Sequence, residues 1–492
     1  MEYKWRALSV TSIGALMAAV DSTVVLLALY PIAKNINSDF VTMIWVIIAY
    51  LLVNTALVLS LGRLADMYGR KKMYNIGFVI FTIGSALCGL AFSGISLVGF
   101  RVIQGVGAAL LTANSFAILS EAFPRNETGR AFGVNSIVWG IGAVLGIILG
   151  GVIITYTSWR LIFLINVPIG IFATLWAYRT LKESITKSTA KETFDLPAAL
   201  TFTFGLLSVL LGVTWGLIYG WHDSSTLIFL GIAPLFFVGF GVWEGKFTKS
   251  PIVDFSLFRS RVFSFSVLAA LVQSLAIFSV NFLLIFYLEG ITGLSVLAAS
   301  YLIIPLAVSS AILGPLGGIL SDRLGPRIIS SSGLGLAFAA LVLLTRLTTT
   351  TPLLEIAVIE TLAGSGLGLF WPSNTSAIMS AIPPMRFGVG SGVMNTFRNT
   401  GMIMSFALSL TAATSVIPAY VVYSLFIGKL TGKLSSTYAS SYLSGQSFAF
   451  EISAALIIVA IVFSILGSGV IREKTTRKTE GIKSEREVVS GS

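Results

Sequence analysis

Four ionisable side chains stand inside stretches that are otherwise apolar: Asp21, Arg101, Glu289 and Glu360. A charged side chain at the centre of a bilayer costs at least about 2.5 to 3.5 kcal/mol on insertion scales, so each should face a cavity or a partner. Burial favours the neutral form of a carboxylate, and a proton or a cationic substrate can supply that neutralisation. The pattern predicts proton or substrate coupling at Asp21, with a structural acid bonded to neighbouring Ser or Thr hydroxyls as the alternative.

The other three residues also have two interpretations each. Arg101, placed near the inner part of its apolar stretch, cannot release its proton at ordinary pH, so it holds a nearby carboxylate ionised or closes a static ion pair. Glu360 has no Lys or Arg within a helical turn and is either a cavity acid or bonded to a neighbouring helix, while Glu289 fits an interface with water. We expect Asp21, Arg101 and Glu360 to converge at a cavity near the middle of the membrane.

Composition indicates that transmembrane helices position these residues. The chain has 492 residues, of which 55% are hydrophobic and 11% charged, too few charges to cover a soluble protein of this size. The single cysteine, Cys88, and the single histidine, His222, exclude an intrachain disulfide and a metal site built from several Cys or His residues. We expect neither a metal nor a cofactor, and the sequence has neither a GxxxxGK[ST] nor an HExxH motif.

Segments of roughly 18 to 25 mostly apolar residues, long enough to cross about 30 Å of hydrocarbon, are separated by polar breaks. A long outer stretch, Pro418 to Phe448, precedes the last of them. Placing the amino terminus in the cytoplasm puts most of the 32 Lys and Arg residues inside, which accounts for the +11 charge without a nucleic-acid partner. We expect a multi-pass protein of the cell membrane with both termini cytoplasmic. The fourteen predicted spans are 7–30, 42–61, 74–92, 96–119, 131–154, 161–179, 197–218, 226–243, 263–288, 296–319, 328–346, 353–379, 389–417 and 449–471.

One charged, glycine-flanked pattern occurs twice. Residues 62–72, GRLADMYGRKK, are interpreted as a short polar loop between two spans, and the pattern returns at 317–327 as GGILSDRLGPR. The repetition predicts two related halves packed against each other. The recurring residues are Gly62, Asp66 and Gly69, then Gly318, Asp322 and Gly325. The expected divisions are a first half at 1–181, connectors with an inserted helix pair at 182–262, a second half at 263–471 and a disordered cytoplasmic tail at 472–492.

Several motifs resemble a known family. Residues 62–72 are similar to the signature loop of the major facilitator superfamily, and Arg101 to Gly107 is similar to its span 4 motif. Asp21 to Pro31, Ser158 to Gly170 and Tyr287 to Gly293 resemble the fourteen-span drug:proton antiporter branch. The resemblance covers nearly the whole chain. It implies an all-α integral membrane protein with the major facilitator fold, in which two six-helix halves accompany an inserted helix pair.

Four positions depart from the branch. Leu26 stands where the branch has Asn, Tyr30 where it has Pro, and Glu289 where Gln is common. Ile147 replaces the Pro of the branch's span 5 antiporter motif. The departures concern the direction of transport and the coupling mode, and leave the resemblance in fold intact.

Gly142, Gly146 and Gly150 of span 5 recur every four residues and therefore lie along one helix face. Small residues at this spacing let helices approach closely, whereas the resemblance implies a bendable gate helix. Because the usual Pro is absent, we favour close packing. The residues of this motif are Gly142, Gly146, Gly150 and Gly151.

The repeated pattern is predicted to form a conformational latch on the cytoplasmic side. Gly62 and Gly69 allow a tight turn, while Arg70 and the two lysines after it keep the segment inside. Asp66 is expected to accept hydrogen bonds from the amino-terminal amides of span 13, near Gly388 to Gly392. Breaking this contact would favour the inward-open state.

The second copy is predicted to make a weaker latch. Asp322, with Gly325 and Arg327, would meet span 5 near Gly129, and Pro326 replaces a basic residue of the first copy. Simple topogenic charge is the alternative for both copies. The resemblance also covers the Arg-x-x-Gly pattern that starts at Arg398, for which we expect a structural role near the inner gate.

Large aromatic residues within the spans are candidates to line a cavity for flat lipophilic substrates, with lipid or core packing as the alternative: Trp139, Phe370, Trp371 and Phe397.

With the resemblance, the sequence predicts a monomeric, proton-coupled secondary transporter that exports lipophilic or cationic small molecules by alternating access. Proton-coupled transport of one specific small metabolite is the runner-up. A membrane enzyme fits less well because the sequence has neither an HExxH motif nor a His or Cys cluster for a metal. A non-transporting sensor fits less well because it would not need acids at midplane depth.

Overall fold

The structure of the chain is a computed structural model that describes residues 2–124, 127–183, 194–248, 255–294, 296–416 and 436–467. These residues form α-helices joined by short connections, and no β-strand occurs among them. The helices are α1 (Tyr3–Asn35), α2 (Phe40–Tyr68), α3 (Arg70–Gly89), α4 (Gly94–Ala122), α5 (Thr128–Tyr156), α6 (Leu161–Leu164), α7 (Asn166–Thr180), α8 (Leu196–Tyr219), α9 (Ser224–Lys246), α10 (Arg261–Phe286), α11 (Val296–Leu324), α12 (Pro326–Leu344), α13 (Leu353–Ser380), α14 (Phe387–Val416) and α15 (Ser436–Leu466).

Local sequence signals account for several of the helix starts. The Asp39 carboxylate accepts a hydrogen bond from the Thr42 amide at the start of α2, which satisfies a donor that has no partner within the helix. Ser93 and Ser96 form a reciprocal capping box at the start of α4. The side chain of Ser260 accepts from the Phe263 amide at the start of α10. These polar residues fix where the apolar helices begin.

Thirteen helices in the described part of the chain are long and apolar enough to cross a membrane. They include the continuous segment Leu161–Thr180, which joins α6 and α7. Helix α14 coincides with predicted span 13 but is not among them. The all-helical membrane fold is therefore confirmed, and the count of fourteen spans stays a prediction.

The segment predicted as a polar loop is almost entirely helical, so that prediction is wrong. Helix α2 runs to Tyr68 and α3 starts at Arg70, with a single residue between them. That residue, Gly69, has a φ of 104°, in a region that L side chains rarely adopt. Gly325 has a φ of 92° at the equivalent place between α11 and α12. One glycine in this conformation reverses the chain and leaves the neighbouring polar residues on helix ends.

The last helix also differs from its predicted bounds. It begins at Ser436, whereas the sequence suggested a start at 449, so Ser436 to Phe448 is helical. The rest of the predicted outer stretch and the predicted tail lie outside the described residues. Tyr442 explains the extra turns, because its hydroxyl donates to the Leu283 carbonyl at 2.6 Å and ties the start of α15 to α10.

The two halves meet through matching glycine contacts at the end of the bundle where α1 begins, here called the amino-terminal face. Helix α2 packs on α14, where a methyl group at Gly62 would overlap the Gly388 carbonyl oxygen. Helix α11 packs on α5, where a methyl group at Gly318 would overlap the Gly129 carbonyl oxygen. Gly62 and Gly318 belong to the repeated pattern, so the repeat builds two equivalent contacts.

Span 5 glycines bring α5 against α1. A Cβ atom at Gly142 would lie 2.7 Å from that of Ala19, and one at Gly146 would overlap the Thr23 hydroxyl. Gly150 is buried and Gly151 partly buried. The first two positions have no space for a side chain, which supports the packing interpretation.

Replacing Gly318 by Ala tests the glycine contact between the halves. The added methyl group overlaps the backbone of α5, so we expect a loss of about 1 to 3 kcal/mol in stability. Gly335→Ala is the matched control, because Gly335 has open space around it. Thermal unfolding in detergent should show a lower melting temperature for Gly318→Ala and an equal or higher one for the control. Equal melting temperatures for both variants would contradict the contact.

Candidate functional site

Asp21 of α1 and Arg101 of α4 form an ion pair inside the first half. The Arg101 Nη1 atom lies 2.6 Å from Asp21 Oδ2, and both side chains are almost fully buried, with exposures of 2% and 0%. Because α4 begins on the face opposite the amino terminus, Arg101 lies near that outer end of its helix. The expected position near the inner part of span 4 is therefore wrong. Asp21 reaches the same level because α1 ascends from the amino-terminal face.

Polar neighbours complete the pair. Gln104 donates to Asp21 Oδ1 at 2.9 Å and accepts from Arg101 Nη1 at 2.7 Å. Asn166 donates to Asp21 Oδ1 at 3.5 Å. The Arg101 Nε donates to the Val46 carbonyl oxygen at 3.0 Å. Every charged group of this network has a partner, which is what allows it to be buried.

The ring of Tyr50 packs on a face of the Arg101 guanidinium. Its centroid lies 4.2 Å from the guanidinium carbon, Cζ. Such cation–π contacts strengthen when water is excluded. Since Arg101 keeps its proton, only Asp21 can change the charge of this pair. Protonation of Asp21 would break the ion pair and free the guanidinium for another acceptor, so the geometry suits a group that alternates between a proton and Arg101.

Glu360 does not join this network, and the predicted convergence of the three ionisable residues is wrong. Its side chain is fully buried on α13, and neither carboxyl oxygen has a hydrogen-bond partner within the described residues. Ile356 and Ile359, its neighbours on α13, belong to the apolar core of the second half. An ionised carboxylate without a partner is costly in such surroundings, so Glu360 is suited to carry a proton or to bind a cation.

Glu289 lies in a short π-helical turn, Tyr287–Ile291, that continues α10. Its side chain is outside the described part of the structure, as are those of Leu26, Tyr30 and Ile147. The predicted role of Glu289 stays a prediction.

Asp66 makes the contact that the sequence predicts at the start of span 13. Its two carboxylate oxygens accept hydrogen bonds from the amides of Gly388 and Val389, both at 3.0 Å. These amides begin α14 and have no partner within that helix, and the positive end of the helix dipole favours a carboxylate there. Arg70 donates to the same carboxylate at 2.8 Å and also binds Glu121 at 2.7 Å.

Arg70 further ties the two halves because its Nη2 donates to the Pro384 carbonyl oxygen at 2.8 Å. The Asp66 and Arg70 side chains are 2% and 3% exposed. The ion pair lies within the first half, and both of its side chains also form hydrogen bonds to the second half. Removal of one partner from a buried ion pair destabilises a protein strongly. The latch role of these residues remains a prediction, and the geometry it requires is present.

Asp322 makes the equivalent contact on α5. Its carboxylate accepts from the amides of Gly129 at 3.1 Å and Arg130 at 3.2 Å. It is partly exposed, and the position that corresponds to Arg70 is Pro326, so that position supplies no basic side chain to bind it. Arg327 is exposed one residue further on, beyond the turn at Gly325. These differences support the weaker latch that the sequence predicts.

Arg398 lies away from both latches. It stands about 16 Å along α14 from Phe387, at a rise of roughly 1.5 Å per residue, and its guanidinium carbon is 5.6 Å from the centroid of the Trp371 ring. The expected position near the inner gate is therefore wrong, because Arg398 lies near the middle of α14.

The predicted cavity aromatics fall into separate environments. Trp139 is 37% exposed on α5, while Phe370 is 1% exposed in the apolar core of the second half. Phe397 faces Phe258, with ring centroids 6.3 Å apart. Trp371 alone of the four contacts a charged group, Arg398, so the set does not form one cavity wall.

Sequence reasoning missed the polar partners of each site. Gln104 and Asn166 stand inside motifs that were recognised from the sequence, but their types alone did not reveal that they bind Asp21. Glu121, at the end of α4, was missed as the partner of Arg70. The sequence shows Glu121 as a charged residue at the end of an apolar span. That position alone does not indicate which basic residue binds it.

Comparison with known proteins adds a family and relatives. Residues 11–406 match the sequence model described as the Major Facilitator Superfamily. The chain is 31% identical over 466 residues to the "Riboflavin transporter RibZ" of Clostridioides difficile strain 630, covering 94% of this chain and 98% of that protein. It is 30% identical to "Multidrug resistance protein 3" of Bacillus subtilis strain 168, covering 82% of this chain and 78% of that protein.

Solved structures share the fold. The proton:xylose symporter XylE, bound to 6-bromo-6-deoxy-D-glucose, superposes with a TM-score of 0.63 at 15% identity, covering 94% of this chain and 95% of that one. The human organic anion transporter MFSD10 gives a TM-score of 0.62 at 14% identity, covering 92% and 99%. At these identities the likeness concerns the fold alone.

Replacing Asp66 by Ala tests the first latch. The change removes the carboxylate that accepts from the start of α14 and leaves Arg70 with Glu121 alone as an acidic partner among the described residues. We therefore expect a loss of about 1.5 to 3 kcal/mol in the stability of the joined state, the worth of hydrogen bonds to a charged group. Asp322→Ala is the matched comparison and should lose about 0.5 to 2 kcal/mol, the usual range for a helix cap.

The measurement is labelling of Ser391→Cys by a membrane-impermeant maleimide, since Ser391 is fully buried one turn beyond Gly388. Asp66→Ala should accelerate labelling more than Asp322→Ala does, while the buried native Cys88 gives little background. Labelling rates equal to that of the parent protein in both variants would contradict the latch.

Proposed function

The chain belongs to the major facilitator superfamily and is a membrane transporter, and we propose that it couples proton movement to the export of lipophilic or cationic small molecules. The transporter class follows from the family match and from relatives that are transporters and not enzymes. Proton coupling, direction and substrate range are the proposed parts.

The observation that carries proton coupling is the buried Asp21–Arg101 pair. Arg101 and Gln104 both donate hydrogen bonds to this carboxylate, and uptake of a proton by Asp21 would remove the charge that Arg101 binds. In the proposed cycle a proton and a substrate compete for the polar network, so release of one permits binding of the other. The static ion pair remains the alternative.

Alternating access supplies the conformational half of this mechanism. The proposed latches at Asp66 and Asp322 hold the two halves together on the amino-terminal face, which the sequence predicts to be cytoplasmic. Their release would let the halves separate there. Since the two latches differ in burial and in basic partners, we propose that the second opens first.

Export of varied lipophilic compounds is favoured by relatives that carry multidrug names in Bacillus subtilis and Mycobacterium tuberculosis. Glu360 supports the cationic part of this range, because an unpaired buried carboxylate can accept a positive group.

A second candidate is transport of one specific metabolite. The riboflavin transporter of Clostridioides difficile matches this chain over almost the full length of both proteins, whereas the Bacillus multidrug protein matches over about four-fifths of each. A flat heteroaromatic metabolite such as riboflavin is therefore the specific alternative.

Asp21→Asn tests the coupling role. The amide keeps the shape of the side chain but cannot exchange a proton. Proton-driven transport in reconstituted vesicles should therefore fall by about a hundredfold or more, the usual contribution of one proton-transfer group. Substrate exchange without a pH gradient should continue. Asp39→Asn is the control, because Asp39 is exposed and Asn also caps helices. Proton-driven transport at the parent rate in Asp21→Asn would remove Asp21 from the mechanism.

A substrate panel separates the two candidates. Vesicles with an imposed pH gradient are challenged with lipophilic cations and, separately, with riboflavin. Multidrug export predicts that several unrelated cations move and dissipate the gradient, whereas a specific metabolite transporter moves riboflavin or a close analogue alone. If no compound of the drug panel moves, multidrug export is rejected.

A further inference from the structure

Arg101 and Arg398 both lie inside predicted spans and have opposite surroundings. Arg101 uses its donors on Asp21, Gln104 and the Val46 carbonyl. Arg398 forms no hydrogen bond or ion pair with any residue in the described part of the chain, and its Nε is buried without a partner. An uncompensated charge at this depth lowers stability, so its presence calls for a compensating role.

Arg398 lies where the two halves meet. One turn before it, the Asn395 side chain donates to the Thr112 carbonyl of α4, at 3.5 Å. Another turn earlier, Gly392 packs against Leu59 of α2, and just after Arg398, Gly401 packs against Leu271 of α10. This part of α14 therefore touches helices of both halves, and the Arg398 side chain is partly accessible there.

An aromatic surface stands beside the unpaired charge. The Trp371 ring on α13 is 5.6 Å from the Arg398 guanidinium and is itself partly accessible. Phe370 supports this ring in a T-shaped contact with centroids 5.3 Å apart. Two more polar atoms next to Arg398 on α14, Thr396 Oγ1 and Asn399 Nδ2, are buried without hydrogen-bond partners. Unused donors thus accompany a flat ring.

We propose that Arg398 and Trp371 form a recognition subsite for planar aromatic substrates that carry an anionic or carbonyl acceptor group. The guanidinium presents a planar fork of N–H donors that fits a carboxylate or a pair of carbonyl oxygens, and the indole ring supplies a surface for stacking. The inference rests on the proposed transport function and names the substrate class of that function. It places acceptor-rich compounds ahead of purely cationic ones at this subsite.

The alternative is that Arg398 only packs the helices together through Trp371. A binding role and a packing role predict different effects of removing the charge on stability. Removing a charge that has no hydrogen bond or ion pair among the described residues leaves stability unchanged or raises it, since residues kept for binding are often costly to the fold. Removing a charge that packs the helices lowers stability. Melting temperature and ligand affinity, measured together, therefore separate the two roles.

The experiment measures equilibrium binding to the purified full-length protein by fluorescence polarisation, without a pH gradient. The probes are fluorescein, an anionic planar dye, rhodamine 6G, a cationic dye on a related ring system, and riboflavin, which is neutral and rich in carbonyl acceptors. The variants are Arg398→Gln and Arg398→Lys. Arg346→Gln is the control, because Arg346 is exposed after the end of α12.

We expect the parent protein to bind fluorescein and riboflavin more tightly than rhodamine 6G. Arg398→Gln should weaken binding of the first two at least about tenfold, the worth of a hydrogen bond to a charged group, and leave rhodamine 6G unchanged. Arg398→Lys should fall between the two because it keeps the charge without the planar fork. The melting temperature of Arg398→Gln should equal or exceed that of the parent, and Arg346→Gln should bind all probes as the parent does.

Two results would overturn the subsite: parent protein that binds rhodamine 6G but neither acceptor-rich probe, or Arg398→Gln that changes all three affinities equally or not at all. A lower melting temperature of Arg398→Gln would assign the residue to packing. Vesicle transport is scored separately, so binding without proton-driven movement rejects the proposed function and leaves the subsite standing.

Discussion

Charge inside a bundle of apolar helices has to be compensated, and the architecture of this transporter depends on which groups bind each buried charge. Asp21 has Arg101, Gln104 and Asn166 around it. Asp66 and Asp322 are stabilised differently, by the unpaired amides at the starts of α14 and α5. The side chains that compensate Asp21 all belong to the first half, whereas the helix starts that bind Asp66 and Asp322 join the two halves. A change in the charge of either kind of site therefore has a structural consequence.

The internal repeat explains why the halves are joined twice. Each copy supplies a glycine that lets the helices touch and, one turn later, a carboxylate that meets the facing helix start. Divergence between the copies makes the joints unequal, because Arg70 anchors one carboxylate and Pro326 stands at the equivalent place in the other. Unequal joints allow separation to proceed in steps, as the proposed alternating-access mechanism requires.

Much of the fold was predictable because hydrophobic length and the repeated pattern are strong signals. The repeated pattern also predicted which helix starts Asp66 and Asp322 contact. If the two halves pack symmetrically, each acid has to face the start of a helix in the other half. What failed depended on three-dimensional neighbours. Helix direction placed Arg101 at the outer end of α4, and Glu360 lies among apolar residues away from the pair. The polar loop at 62–72 was misjudged because a single glycine reverses the chain and its charged neighbours stay helical.

In the proposed mechanism, Asp21 exchanges a proton as substrate binds. Proton release can be measured with a pH-sensitive dye when a transported compound is added to purified protein in weakly buffered detergent solution. We expect a release or uptake of protons by the parent protein that disappears in Asp21→Asn while the compound still binds. Binding without any proton change in the parent protein, or the same change in both proteins, would contradict it.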